Sequence, residues 1–209
     1  MSDSRIKWSF GLLAAISLAV FCLIVAAVSR GQLVPLDLLL YENAPNFQIP
    51  LATYIMGAVS GTLHPGVLLF LAVLVSLFFL IRREPQYAVI FFFSTALALV
   101  SAVFVKEFLS IDRPMGIVGE TGFSFPSLHT TIAAVFFVSS MYALAEHMKE
   151  GLVEVLVAVL GVVLIILTAL SRLYLQVHWL SDTVGGIALG VFWASVLIAI
   201  FHMQVRKML

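Results

Sequence analysis

The sequence predicts an all-α fold: a polytopic membrane bundle of six transmembrane helices, with a short interfacial helical segment between the first and the second. Three observations predict it. Of 209 residues, 62% are hydrophobic and only 11% are charged, whereas soluble domains carry about 25% charged residues. Six apolar runs approach the roughly 20 residues a helix needs to cross a hydrocarbon layer about 30 Å thick. Three polar clusters, residues 106–114, 126–129 and 171–182, lie beside or interrupt these apolar runs.

The runs cover approximately residues 8–28, 65–81, 87–105, 127–145, 152–170 and 183–203. The first follows Arg5 and Lys7, as a signal peptide would, but it is long and no small-x-small cleavage site follows. It therefore reads as a retained signal anchor. Residues 29–64 are too broken to span, with Pro35, Asp37, Glu42, Pro45 and Pro50 distributed through them. Their apolar stretches at 38–41 and 47–59 predict short helices lying in the interface. The second span opens on Pro65, a residue suited to the first helical position. On the sixth span, Gly186 and Gly190 form a small-residue stripe that fits close packing against a neighbouring helix. No internal repeat divides the chain, and residues 1–209 read as a single membrane-embedded domain.

Eleven basic residues balance eleven acidic ones, so no polybasic surface is available for nucleic acid. The lone cysteine, Cys22, lies inside an apolar run, which excludes an intrachain disulfide and a cysteine metal cluster. Orientation follows from Lys and Arg near the span ends. With the N-terminus inside, Arg5, Lys7, Arg82, Arg83, Lys149, Arg206 and Lys207 are cytoplasmic, seven against the four of Arg30, Lys106, Arg113 and Arg172. Six spans then return the C-terminus to the cytoplasm. All three clusters fall on the extracytoplasmic side, where they can meet.

Ionisable groups at membrane depth are costly and point to function. In the first cluster, Lys106 and Arg113 would share a face if the helix continued, although Pro114 biases Arg113 towards extended backbone. Either way both reach one anion, and arginine's fork suits phosphate oxygens. Each cation taken alone is equally compatible with snorkelling to lipid head groups. In the second cluster, Ser127 is placed to cap a helix whose first turn, carrying Leu128 and His129, offers free N–H groups and the positive dipole end to an anion. In the third, His178 and Asp182 are four apart, so on a helix the carboxylate holds one ring nitrogen and frees the other. That arrangement suits nucleophilic attack or proton transfer, and equally a buried structural pair. Arg172 adds a further anion contact. Two histidines and an aspartate could ligate zinc, but three cations in the same pocket favour an oxyanion, so neither metal nor cofactor is expected.

Lys106 with Arg113 and Pro114, Pro126 and Ser127 with His129, and Ser171 and Arg172 with His178 and Asp182 resemble the three-part signature of the type 2 phosphatidic acid phosphatase superfamily. Its members include bacterial lipid phosphatases, glucose-6-phosphatase and vanadium haloperoxidases. Order, spacing and the six spans agree, and the resemblance covers residues 65–203 approximately. It implies a metal-independent phosphatase in which His178 attacks phosphorus to form a phosphohistidine and Asp182 orients it. His129 would protonate the leaving oxygen and later activate water. Lys106, Arg113, Ser127 and Arg172, with the backbone amide of Leu128, would hold the phosphoryl oxygens. The family usually has glycine where Leu128 stands, so a need for positive φ or very close backbone approach is in question there.

A substrate with lipid tails would reach such a site sideways from the bilayer of a cell inner (cytoplasmic) membrane. Polyprenyl diphosphate, phosphatidylglycerophosphate, phosphatidic acid and lipid A phosphate all fit, and resemblance to small bacterial members favours the first two. The connector at residues 115–125, with Gly116, Gly119 and Gly122, reads equally as a lid or a plain linker. The alternatives are a lipid-to-lipid phosphotransferase and a lipid transporter or channel. Against the latter, the charges collect at one side and trace no path. The lipid substrate and the bilayer are the expected partners, while the oligomeric state is not legible.

Overall fold

The computed structural model describes residues 3–148 and 151–205, which form eight α-helices, with no strand among the described residues. In chain order these are α1 (Asp3–Ser29), α2 (Val34–Asn43), a 3-10 turn (Ala44–Phe47), α3 (Pro50–Thr62), α4 (Pro65–Ile81), α5 (Pro85–Leu109), α6 (Leu128–His147), α7 (Gly151–Tyr174) and α8 (Leu180–Val205). Pro35, Pro50, Pro65 and Pro85 occupy the first or second position of α2 to α5, where the missing N–H breaks no helical bond.

Six helical stretches are long and apolar enough to span a bilayer: Ser9–Ser29, Pro50–Ile81, Pro85–Leu109, Leu128–His147, Gly151–Tyr174 and Leu180–Phe201. The second of these joins α3, a short helix where one was expected ahead of the second span, to α4, which covers the expected residues 65–81, in one 32-residue apolar stretch. A straight helix of that length would be about 48 Å long, well beyond the hydrocarbon thickness. It breaks at His64, whose φ −59 and ψ 138 are the extended geometry imposed by the following Pro65. The His64 Nδ1 accepts the Gly66 N–H at 3.1 Å and restarts the helix as its cap.

Buried side chains of α5, α6 and α8 form the main core, with Ile90, Phe91, Ala134, Val135, Ala194 and Ile198 at its centre. The α6–α8 contact is close enough to require glycine. A Cβ on Gly186 would collide with Thr130 Oγ1 and the Ser127 carbonyl, and one on Gly190 with the Thr131 carbonyl and Ala134 Cβ. The glycine stripe therefore packs against a neighbouring helix of the same chain. Outward faces carry exposed Leu12, Leu23, Phe70, Ile81 and Leu152, the surface a bilayer would cover.

The ends of α5 and α7 and the starts of α6 and α8 meet at one end of the bundle, so all three polar clusters converge there. At the opposite end, Arg82 and Arg83 lie in the α4–α5 turn, and Glu84 Oε2 pairs with His147 Nε2 at 2.9 Å. Lys149, Arg206 and Lys207, which bear on orientation, lie outside the described residues, as do the side chains of Arg5 and Lys7.

Candidate active site

Helix α5 ends at Leu109, where Ser110 adopts the left-handed conformation (φ 51, ψ 42) and donates its N–H to the Lys106 carbonyl. Lys106 and Arg113 therefore do not share a helix face, because the chain is already extended before Pro114. Lys106 Nζ donates to the carbonyls of Phe123 and Ser124, both at 2.8 Å, folding the 115–125 connector back over the end of α5. Arg113 donates from Nε to Gly122 O at 3.0 Å, and from Nη1 to Val177 O at 2.9 Å. One cation thus ties the connector to the loop that carries His178.

That loop begins where α7 ends, with Gln176 at φ 55. Its side chain is clamped between the Tyr41 carbonyl (3.0 Å) and Gln48 Nε2 (3.1 Å), so the segment before α3 fixes the turn. His178 is buried, with its Nδ1 3.0 Å from Asp182 Oδ2 and its Nε2 3.0 Å from Arg113 Nη1. A guanidinium only donates, so Nε2 is the accepting nitrogen and Nδ1–H donates to Asp182. Burial, then the charges of Arg113, Arg172 and Lys106, hold the His178 pKa well below the usual imidazole value. The ring is accordingly neutral at physiological pH, with its free lone pair directed towards Arg113.

Asp182 lies in the first turn of α8 and also accepts the Trp179 N–H at 2.8 Å and the Ser124 hydroxyl at 3.3 Å. Its backbone carbonyl accepts the Ser127 N–H at 3.0 Å, joining the starts of α8 and α6. Arg172 is buried at the end of α7 and donates to Ser60 Oγ at 2.5 Å and to Glu120 Oε1. The same Glu120 carboxylate accepts from Arg113 Nη1 at 2.9 Å.

Ser127 occupies the cap position of α6 but makes no side-chain capping bond. Its hydroxyl and Arg172 Nε are both buried without a hydrogen-bond partner among the described residues, and burial of unsatisfied polar groups is costly. Both groups are able to donate to an acceptor. His129 is buried in the first turn of α6, its ring edge-on to His64 at 5.2 Å. The Leu128 side chain packs into two apolar clusters, beside Phe125 and Leu189 and beside Leu68 and Ile132. Its φ is negative, since the described non-glycine residues with positive φ are Arg83, Ser110 and Gln176. This position makes no use of glycine's conformational freedom.

Sequence reasoning passed over Glu120, Ser124, Asp37, Ser60 and His64. Asp37 accepts the Ser181 N–H (2.9 Å) and hydroxyl (2.7 Å), fastening α2 onto the first turn of α8. Burial raises its pKa, a shift that the Ser181 hydrogen bonds oppose. A charge retained inside an apolar segment was the available signal for Asp37, as a carboxylate in the connector was for Glu120.

A family model described as "PAP2 superfamily" matches residues 87–206, more than half of the chain. The chain belongs to the PAP2 superfamily. A phosphatidylglycerophosphatase B of Bacillus subtilis (strain 168) is similar to this PAP2 member, at 29% identity over 179 residues, covering 82% of this chain and 86% of the relative. The fold resembles the crystal structure of the first transmembrane PAP2 type phosphatidylglycerolphosphate phosphatase from Bacillus subtilis. The TM-score is 0.82 at 23% identity, over 90% of this chain and 94% of that one. This PAP2 member is thus an all-helical, multi-pass membrane enzyme of the lipid phosphatase class.

Proposed function

We propose that the chain removes phosphate from a membrane lipid without a metal ion, through a phosphohistidine on His178. The observation that carries this reading is the His178 ring, held at Nδ1 by Asp182 and presenting the Nε2 lone pair to the arginine cradle. Nε2 attacks phosphorus while Arg113, Arg172, Lys106, the Ser127 hydroxyl and the Leu128 amide take the phosphoryl oxygens. As the bond from phosphorus to the leaving oxygen breaks, His129 gives that oxygen its proton. His129 then takes a proton from water, the hydroxide attacks phosphorus, the P–N bond breaks and orthophosphate leaves. Electrostatic stabilisation of the developing charge by the cradle contributes most to the rate. Acid–base help from His129 adds a factor of about 10² to 10⁴.

The name of the Bacillus subtilis relative favours phosphatidylglycerophosphate as substrate, with polyprenyl diphosphate and phosphatidic acid as further lipids of the same chemistry. A cavity of about 350 Å³ beside His178, lined by Leu40, Tyr41, Phe47, Met56, Leu173 and Leu180, suits an acyl or prenyl chain. The bias of Arg82 and Arg83 to the opposite end supports an extracytoplasmic site in an inner membrane, with both termini cytoplasmic. Phosphate release from these lipids in detergent, with excess chelator, tests the reading. Wild type should stay active and His178→Ala should lose activity. Full activity of that variant, or loss of wild-type activity on chelation, overturns it.

A further inference from the structure

The two oxygens of the Glu120 carboxylate bind different cations: Oε2 meets Arg113 Nη1 at 2.9 Å, and Oε1 meets Arg172. These arginines come from separate polar clusters and are the ones assigned above to the phosphoryl group. A carboxylate bridging two guanidinium groups has the chemistry of one O–P–O edge. Burial works against the Glu120 charge, but the Arg172 hydrogen bond and the charges of both arginines outweigh it and hold the pKa below the usual carboxylate range. Glu120 is therefore charged at neutral pH. On both sides of it the connector is pinned, by Ile117 N–H on Leu175 O at 3.0 Å and by Ser124 N–H on Ile111 O at 2.7 Å. Between the pins, added Cβ atoms on Gly119 and Gly122 would meet nothing within 4 Å. The glutamate rides on a short arch that is fastened at its feet, and Arg113 Nε and Lys106 Nζ hold the Gly122 and Phe123 carbonyls on its returning side.

We propose that Glu120 is an internal competitor for the phosphoryl group and sets the affinity an incoming anion must exceed to occupy the arginine cradle. The inference rests on the reading of that cradle as the phosphate site. It bears on specificity because bulk phospholipids are phosphodiesters carrying one negative charge, in vast excess over any phosphomonoester. A monoester carries about −1.5 to −2 at pH 7. A carboxylate of charge −1 resists displacement by an equally charged diester and yields to the stronger anion. The threshold is the same for both ligands, but only the weaker one is kept out at the concentration at which it surrounds the enzyme.

The test is equilibrium binding of radiolabelled orthophosphate to the full chain in detergent, comparing wild type with Glu120→Gln and Glu120→Ala. A parallel assay measures inhibition of turnover by short-chain phosphatidylglycerol. Removing the competitor should tighten orthophosphate binding by about tenfold, and should make the variants sensitive to the diester at concentrations that leave wild type unaffected. Unchanged or weaker orthophosphate binding in both variants overturns the proposal and shows that Glu120 merely supports the arginines. If wild-type binding is meanwhile lost on Arg172→Ala, the phosphate cradle itself stands. Absence of orthophosphate binding in wild type and variants alike overturns the proposal together with the functional reading.

Discussion

Replacing Asp182 by asparagine separates the charge of this carboxylate from its hydrogen bonds. Oδ2 accepts from His178 Nδ1–H (3.0 Å) and from Trp179 N–H (2.8 Å), while Oδ1 accepts from the Ser124 hydroxyl (3.3 Å). An asparagine whose carbonyl oxygen takes the Oδ2 position keeps the first two bonds, and its amide donates to Ser124 Oγ, which is able to accept. The imidazole tautomer is then preserved. What disappears is the negative charge facing a ring that becomes cationic as Nε2 bonds to phosphorus. Two unit charges about 4 Å apart interact by about 4 kcal/mol at an effective dielectric near 20. At about 1.4 kcal/mol per factor of ten, kcat should fall by about 10³. Because the charge acts on the transition state and not on bound substrate, KM should change little. Steady-state phosphate release from a short-chain lipid phosphate in detergent micelles measures both constants. A kcat loss smaller than tenfold, or a loss confined to KM, would refute the assignment of His178 as the nucleophile supported by Asp182.

For His129→Gln, kcat with lipid substrate should fall by about 10² to 10⁴. With nitrophenyl phosphate, whose leaving group needs no proton, the same variant should give a burst and then stall as phosphohistidine; smooth turnover without a burst argues against His129 as the base. Gly190→Val would drive a side chain into the Thr131 carbonyl and Ala134, forcing α6 away from α8. Overpacking of this kind costs about 1–3 kcal/mol, so the thermal midpoint in detergent should drop and activity with it. An unchanged midpoint would mean that the seam has room for a side chain.

The spans were legible because each apolar run is long and uninterrupted, and the start of α4 because Pro65 marks it. The His178–Asp182 pair was legible from its four-residue spacing, since both groups sit on one local turn. Where sequence reasoning stopped short, the cause was tertiary. The hydrophobicity of residues 50–62 is the same whether that helix lies in the interface or runs on into α4, and only the geometry before Pro65 decides where it breaks. Ser127 looked like a cap because serine is a good one, yet its hydroxyl is left unpaired at the site end of α6. Glu120 lies seven residues from Arg113 and 52 from Arg172, and nothing in either spacing announces that one carboxylate bridges both. Asp37 meets Ser181 across 144 residues, a distance over which no pattern operates.

The Gly186–Gly190 seam fixes one side of the candidate site, and a different part of the chain supplies much of the other. His129, Ser127 and Asp182 ride on one bonded helix pair, α6 with α8, inside the residues matched by the family model. By contrast, Leu40, Tyr41, Phe47 and Met56, which wall the cavity beside His178, belong to α2, the 3-10 turn and α3, upstream of that region. Residues 34–62 are also fastened to the site itself, through Asp37 to Ser181, Gln48 to Gln176 and Ser60 to Arg172. Exchanging that segment between relatives should therefore change chain-length preference and turnover together.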